Sequence, residues 1–373
     1  MQVIERNLHP KSLYVHIPYC DHICHYCDFT KMLTNPKQTR MYVDLLLKEI
    51  NQYGFHQYDT IFFGGGTPTA LSDQDLEILC QGVKPFAAKD CEWTVECNVE
   101  STTPSKLQIL KNAGVNRLSF GVQTFKKDAL VFLNRHHDHQ DIVSTIQLAK
   151  NIGFQSINVD LIYDLPKVAD EDLKADLHHF LSLDVNHIST YALTIHPNTV
   201  FGIQKLKPVT DEVSRHHYEM IYQTLTAHGY ERYEVSNFAR HHQRSKHNMT
   251  YWKNQEYIGT GLGASGYFQG IRYTNTKNMT KYLQGMYRDQ EERIDENMKR
   301  FEHIMLNFRL QDGFSLSEFK QFFNIEFHTL FANTLPSLLE KKLILIEKDQ
   351  IKLSFEGMLL LDYVVLKLTK DLI

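Results

Sequence analysis

Short apolar runs alternate with helix-period stretches through the first half of the chain. LYVHI (13–17), DTIFF (59–63), WTVEC (93–97), RLSFGV (117–122), SINVDLIY (156–163) and HISTYAL (187–193) are rich in β-branched and aromatic residues and predict strands. Between them, the stretches 40–53, 72–83, 104–114, 139–153 and 170–184 repeat apolar positions at helical spacing. Ser72 and Asp170 are candidate N-caps, and Gly114 and Gly153 stand where two helices should stop. Strand, helix, strand at this interval predicts right-handed βαβ units and a parallel sheet. Six units favour a barrel or partial barrel over a flat sheet; the period alone leaves closure open.

The alternation stops at residue 194. A helix is expected at about 210–228, then a loop-rich region holding HNMTYW (247–252) and the glycine run GTGLGASGY (259–267). After the charged stretch RDQEERIDENMKR (288–300), the pattern from Phe314 onward reads helix, helix, two strands, helix, the order of a small winged-helix domain. Its acidic and neutral residues do not make a DNA-reading face, so a packing or regulatory role is expected. The chain should divide into 1–200, a partial barrel; 201–290, a barrel extension with the HNMTYW segment; and 291–373, the winged-helix-like domain.

Composition narrows the setting. The chain has 373 residues, 42% hydrophobic and 23% charged, with a net charge of -4, so it is long enough for a barrel with an appendage and not basic enough to suggest nucleic acid. MQVIERNLHPK is unlike a signal peptide. No apolar run reaches the roughly 18 residues of a membrane span; MLLLDYVVLKL is interrupted by Asp362 and Lys367. A cytoplasmic location is expected, where thiols stay reduced and clustered cysteines hold metal rather than disulfides.

Such a cluster follows the first strand: Cys20, Cys24 and Cys27, spaced C-x3-C-x2-C. The C-terminal ends of barrel strands are where active sites form. A structural zinc would need a fourth ligand, and His16, His22 or His25 could supply one. The other cysteines, Cys80, Cys91 and Cys97, are scattered singly and read as small buried hydrophobes. Three thiolates without a fourth suit a 4Fe–4S cubane with one open iron. The run Gly64-Gly65-Gly66-Thr67-Pro68-Thr69 ends the second strand and lets backbone approach a ligand closely.

YVHIPYC-x3-C-x-YC, FFGGGTPT, LSFGVQTF, LNRHH and NVDLIYDLP together resemble the radical S-adenosylmethionine superfamily. Within it they are similar to the oxygen-independent coproporphyrinogen III oxidases and the related HemW-type haem chaperones, from about residue 12 to the C-terminal domain. The resemblance implies an α/β fold, a partial (β/α)6 barrel with a small winged C-terminal domain. It implies a 4Fe–4S cluster on Cys20, Cys24 and Cys27, with S-adenosylmethionine contacted by Tyr14, Tyr26, Gly65, Gly66, Thr67, Glu96, Gln123, Arg135 and Asp160. Taken singly, Glu96, Gln123 and Asp160 would more often be strand-end or capping residues; their place at successive strand ends raises them.

Two features favour the chaperone branch. The oxidases carry a fourth cysteine where Phe29 stands, and a longer arm before the cluster than the nineteen residues preceding Cys20. A third points to haem as cargo: His247-Asn248-x-x-Tyr251-Trp252 matches a signature associated with haem in HemW-type proteins. A helix would place His247 and Tyr251 on one face. The expected partners are then haem and haem-requiring recipient proteins, membrane-associated or not, with a homodimer left open. The alternatives are a radical decarboxylase of coproporphyrinogen III and a metal-stabilised binding protein without redox role. His241 and His242 lie near the motif without being assigned to it. Three departures stand out: Asp164 where the family has glycine, His196-Pro197-Asn198 in place of Glu-Pro-Gly, and Ser265 where many relatives have histidine. Asp164 is expected to tighten or acidify the barrel mouth.

Overall fold

The computed structural model describes residues 9–372, so most of the segment read against a signal peptide lies outside the described residues. Six strands run side by side in chain order: β1 (Ser12–Ile17), β2 (Tyr58–Gly65), β3 (Ala87–Asn98), β4 (Arg117–Gln123), β5 (Ser156–Tyr163) and β6 (His187–Ala192). Every neighbouring pair is parallel. Helices Pro36–Gln52, Asp73–Val83, Pro104–Ala113, His139–Ile152 and Asp170–Ser182 make the crossovers. In β1, Leu13, Val15 and Ile17 join the main apolar core while Ser12, Tyr14 and His16 alternate to the other face, the period-two pattern of a strand.

The helix boundaries follow local chemistry. Asn35, Ser72, Thr103 and Asp138 each accept a first-turn N–H, and Gly114 and Gly153 end their helices at φ 108° and 99°. Asp170 is a correction: Ala169 holds the cap position and Asp170 is the first helical residue, with Asp172 accepting the Ala169 N–H at 3.0 Å.

The six strands do not close on themselves. β1 takes Tyr257–Thr260 on its other edge, in parallel register, followed by antiparallel strands Ser265–Phe268, Ile271–Asn275 and Arg288–Arg293. β6 takes the antiparallel strands Asn237–Ala239 and Glu231–Arg232. The glycine run expected as loop is therefore two strand ends, 259–260 and 265–267, joined by a turn. It is glycine because the backbones crowd: a Cβ on Gly259 would lie 1.8 Å from the Ser265 carbonyl oxygen, and one on Gly266 would lie 2.2 Å from the Tyr273 ring. HNMTYW is helical, within Lys246–Trp252.

A second apolar core gathers residues between Ile304 and Leu368, separate from the first. Its three-stranded sheet pairs Phe314–Ser315, Gln350–Leu353 and Ile344–Glu347, so one short strand joins the two expected from sequence.

Candidate functional site

The C-terminal ends of β1–β6 surround a cavity of about 310 Å³. Cys20, Cys24, Tyr26 and Cys27 enter it from the loop after β1, and Gly65, Gly66 and Thr67 from the end of β2. Glu96, Gln123 and Asp160 line it from β3, β4 and β5, and Arg135 from the segment after β4. Residues far apart in the chain thus share one space. Tyr14 is one layer lower: its hydroxyl meets His16 Nδ1 at 3.0 Å and its ring stacks on Phe62.

Several hydrogen bonds anchor the cysteine loop. Asn134 Nδ2 donates to the Ile23 carbonyl at 2.8 Å, and the His25 N–H donates to the Leu133 carbonyl at 3.2 Å. His25 Nδ1 and His16 Nε2 reach the carbonyls of Phe132 and Thr30 at 3.0 and 2.7 Å. A ring nitrogen of each is therefore committed to backbone, and His22 stacks on His136 with centroids 3.9 Å apart. Among the described residues no three His, Cys, Asp or Glu side chains converge on a point that could hold a single metal ion. Burial pushes the Cys20 thiol up to about 12 and raises that of Cys27. Thiolates there need a cationic centre to stabilise them, and the donor set fits an iron–sulfur cluster.

The glycine run serves the loop as much as any ligand. Gly66 and Thr67 donate to the carbonyls of Ile17 and Tyr19, each at 2.8 Å, and a Cβ on Gly66 would lie 2.7 Å from Pro18 backbone. Gly65 has φ 108°, and its Cβ would meet the His16 ring at 2.3 Å. Gly65→Ala is expected to lose about 1–3 kcal/mol by combined backbone strain and overpacking, read as a lower Tm.

Glu96 Oε2 accepts the Gly65 N–H at 3.0 Å. Burial, then the charge of Asp160, raises Glu96 to about 7. Burial raises Asp160 to about 6 against hydrogen bonds from Asn158 and Ser189. Carboxyls raised in the folded state stabilise it below their ordinary values, and that contribution is lost as pH rises through about 6 and 7. A ligand bringing positive charge or hydroxyl donors favours the ionised pair, so its binding should strengthen over the same interval and release protons.

Arg135 is buried. Nη2 donates to Glu100 Oε2 at 2.9 Å and to the Gly121 carbonyl at 2.8 Å, Nη1 donates to Asn98 Oδ1 at 3.0 Å, and Nε has no partner among the described residues. Nη1 also lies 3.8 Å from Cys24 Sγ. Asn98, Glu100 and His137, which complete this cluster, were not singled out from the sequence: Asn98 ends β3, and Glu100 and His137 lie in short segments beyond strand ends, where no period marks them.

The HNMTYW helix sits at the opposite end, under the starts of β1–β3. Glu92 of β3 accepts the N–H groups of Lys246 and His247. His247 is fully buried, with Nδ1 2.7 Å from Thr60 Oγ1, Nε2 2.8 Å from the Tyr251 hydroxyl, and its ring stacked on Phe62. Burial lowers its pKa to about 3, so the imidazole is neutral. Asn248 donates its N–H to the Ser245 cap, and the Arg309 guanidinium lies over Trp252 at 5.5 Å. His241 and His242 occupy left-handed turn positions, and His242 lies 3.6 Å from Glu231.

Of the departures, Asp164 tightens the barrel rather than acidifying its mouth. It adopts the glycine-like φ of 61° and turns its buried carboxylate to His217 at 2.7 Å and Ser214 at 2.5 Å, both on helix Asp211–Ala227. His196 lines the cavity, 3.5 Å from Asp28, and Ser265 is exposed against Thr274.

A profile of the radical SAM superfamily matches residues 14–180, and one of the HemN C-terminal domain matches residues 294–360. The heme chaperone HemW of Bacillus subtilis is 38% identical over 370 residues, covering 94% of this chain and 97% of that protein. The chain belongs to the HemW family of radical SAM proteins. The HemW of Lactococcus lactis is 35% identical, with 93% and 94% covered. In this HemW-family chain the fold also matches the solved coproporphyrinogen III oxidase HemN of Escherichia coli, with TM-score 0.85, 23% identity, and 98% and 91% of the two chains covered.

Proposed function

We propose that the protein is a haem-binding chaperone that holds a 4Fe–4S cluster and S-adenosylmethionine in its barrel and delivers haem to haem-requiring proteins. The near full-length likeness to heme chaperones carries this reading. When bound, the cluster supplies an electron to S-adenosylmethionine. Cys20, Cys24 and Cys27 hold the cluster. Glu96 accepts from the ribose hydroxyls, while Gly65, Gly66 and Thr67 present backbone to the amino-acid end. Tyr26, Gln123, Arg135 and Asp160 complete the wall, and Tyr14 supports it from below. Glu96→Gln is expected to weaken S-adenosylmethionine about tenfold or more and to flatten the rise of affinity towards pH 8, measured calorimetrically.

The three-part division of the chain belongs to this proposal; the separate apolar core between Ile304 and Leu368 supports its last boundary. Among the described residues no helix is long and apolar enough to cross a membrane. A cytoplasmic location, a recipient that is itself membrane-bound, and a homodimer belong to the same proposal.

The resemblance puts His247, Asn248, Tyr251 and Trp252 at the haem. For His247 to ligate iron, one ring nitrogen must leave its partner, Thr60 or Tyr251, and the buried ring must become accessible, so haem uptake opens the lower end of the barrel. The test pairs a haem titration with anaerobic assay of protoporphyrinogen formation. Stable haem uptake that weakens in His247→Ala, without turnover, supports the chaperone. Robust turnover would establish the oxidase reading, which the likeness to HemN's fold keeps in view and Phe29 opposes.

A further inference from the structure

A hydrogen-bonded chain descends from Asp160 to the HNMTYW helix. Asn158 Nδ2 donates to Asp160 Oδ1 at 2.7 Å and to Ser119 Oγ at 2.8 Å. Asn158 Oδ1 lies 2.6 Å from His187 Nδ1 and accepts from Ser189 Oγ at 3.0 Å. His187 Nε2 is 2.8 Å from the Tyr233 hydroxyl, which accepts the N–H of Ser245 at 3.3 Å. Ser245 caps helix Lys246–Trp252. Asn158 and His187 are 2% and 1% exposed.

Donor and acceptor logic sets the direction. An ionised carboxylate only accepts, so Asn158 must turn its NH2 to Asp160. Its oxygen then faces His187, whose Nδ1 carries the hydrogen, and Nε2 accepts from Tyr233. When Asp160 is protonated, its O–H can donate to the Asn158 oxygen. The amide turns over, Asn158 donates to Nδ1, and Nε2–H donates to Tyr233. Ser119 and Ser189 hydroxyls can serve either arrangement, so reversal keeps every link of the chain; its one cost is that the Tyr233 O–H, no longer donating to Nε2, loses that acceptor. The reversed state holds one more proton, on Asp160, while the ring hydrogen moves from one nitrogen to the other without net gain. Burial first, then the Arg117 charge, keeps His187 neutral throughout. The charged and titratable groups facing Asp160 are Glu96 from β3, Arg117 from β4, Arg135 beyond it and Tyr191 from β6.

We propose that Asn158 and His187 are positioning residues for Asp160, and that their reversible chain reports its protonation to the Tyr233 hydroxyl, which holds the N–H of Ser245 at the head of the HNMTYW helix. The proposal rests on the reading that Asp160 contacts S-adenosylmethionine. It gives that pocket a physical route to the segment assigned to haem.

Two measurements test it on the reconstituted full chain. The ¹⁵N spectrum of histidine-labelled protein, with the His187 signal assigned by its loss in H187N, should show the ring passing from the Nε2–H to the Nδ1–H form as pH rises through about 6. S-adenosylmethionine affinity should fall about tenfold or more in N158L and H187L. It should survive in H187N, which keeps a donor in place of Nδ1. One tautomer at every pH, with wild-type affinity and pH profile in N158L and H187L, overturns the proposal; the tautomer readout needs no variant to fold beyond the assignment. D160N separates the two ideas. Unchanged binding there overturns the placing of Asp160 at the ligand, whereas weakened binding in D160N with wild-type behaviour of N158L and H187L overturns the relay alone.

Discussion

Cys24→Ser is expected to abolish the visible iron–sulfur absorption of anaerobically reconstituted protein and to bring bound iron close to zero. The loop that presents Cys24 is held by Asn134, His25 and His16, none of which is changed, so the fold should persist by circular dichroism. A serine hydroxyl does not ionise near neutral pH and is a poor ligand for iron in a sulfur site. Cys80→Ser is the matching control. Cys80 is fully buried in helix Asp73–Val83, and burial pushes its thiol up to about 12, so it behaves as a small hydrophobe. That variant should keep its iron and lose some thermal stability. Iron retained at the wild-type level in Cys24→Ser would sink the assignment of the cluster to this loop.

Arg135→Leu should be the most destabilising change in the cavity wall, at about 3–5 kcal/mol near neutral pH. Removing the guanidinium leaves Glu100, Asn98 and the Gly121 carbonyl without their donor. Burial alone would raise the Glu100 carboxyl, but the His137 hydrogen bond and the Arg135 charge hold it down to about 2. A depressed carboxylate stabilises the fold above its ordinary value near 4.5 and loses that contribution as pH falls towards 2. The difference between wild type and variant should therefore be largest near pH 7 and shrink with acidification. Tm measured from pH 3 to 8 checks it: an equal gap at every pH would mean that packing, not charge, is what Arg135 contributes.

The legible part of the fold was the part with alternating side chains. In β1, buried Leu13, Val15 and Ile17 interleave with polar or aromatic residues, and the same reading found the other five parallel strands. GTGLGASGY defeated it because glycine has no side chain to alternate. Its two strand ends are recognised only by their partners, Gly259 against Tyr14 of β1 and Tyr267 against Tyr257. Arg288–Arg293 hid for the opposite reason: every residue is exposed, so the edge strand has no apolar face. In the site, the cysteines and glycines announced themselves by spacing. Asn98, Glu100, His137, Asn158 and His187 did not, since a polar residue in a strand or loop looks the same whether it meets water or a buried partner.

The sequence by itself determined the parallel βαβ sheet and the thiolate loop, because hydrophobic period and C-x3-C-x2-C spacing are local properties of the chain. Only the tertiary structure decided what the polar residues do. It turned Asp164 away from the cavity into helix Asp211–Ala227, and it placed His247 beneath the barrel with both ring nitrogens engaged. A side chain's partner, unlike its period, is set by which distant strands the fold brings within hydrogen-bonding reach.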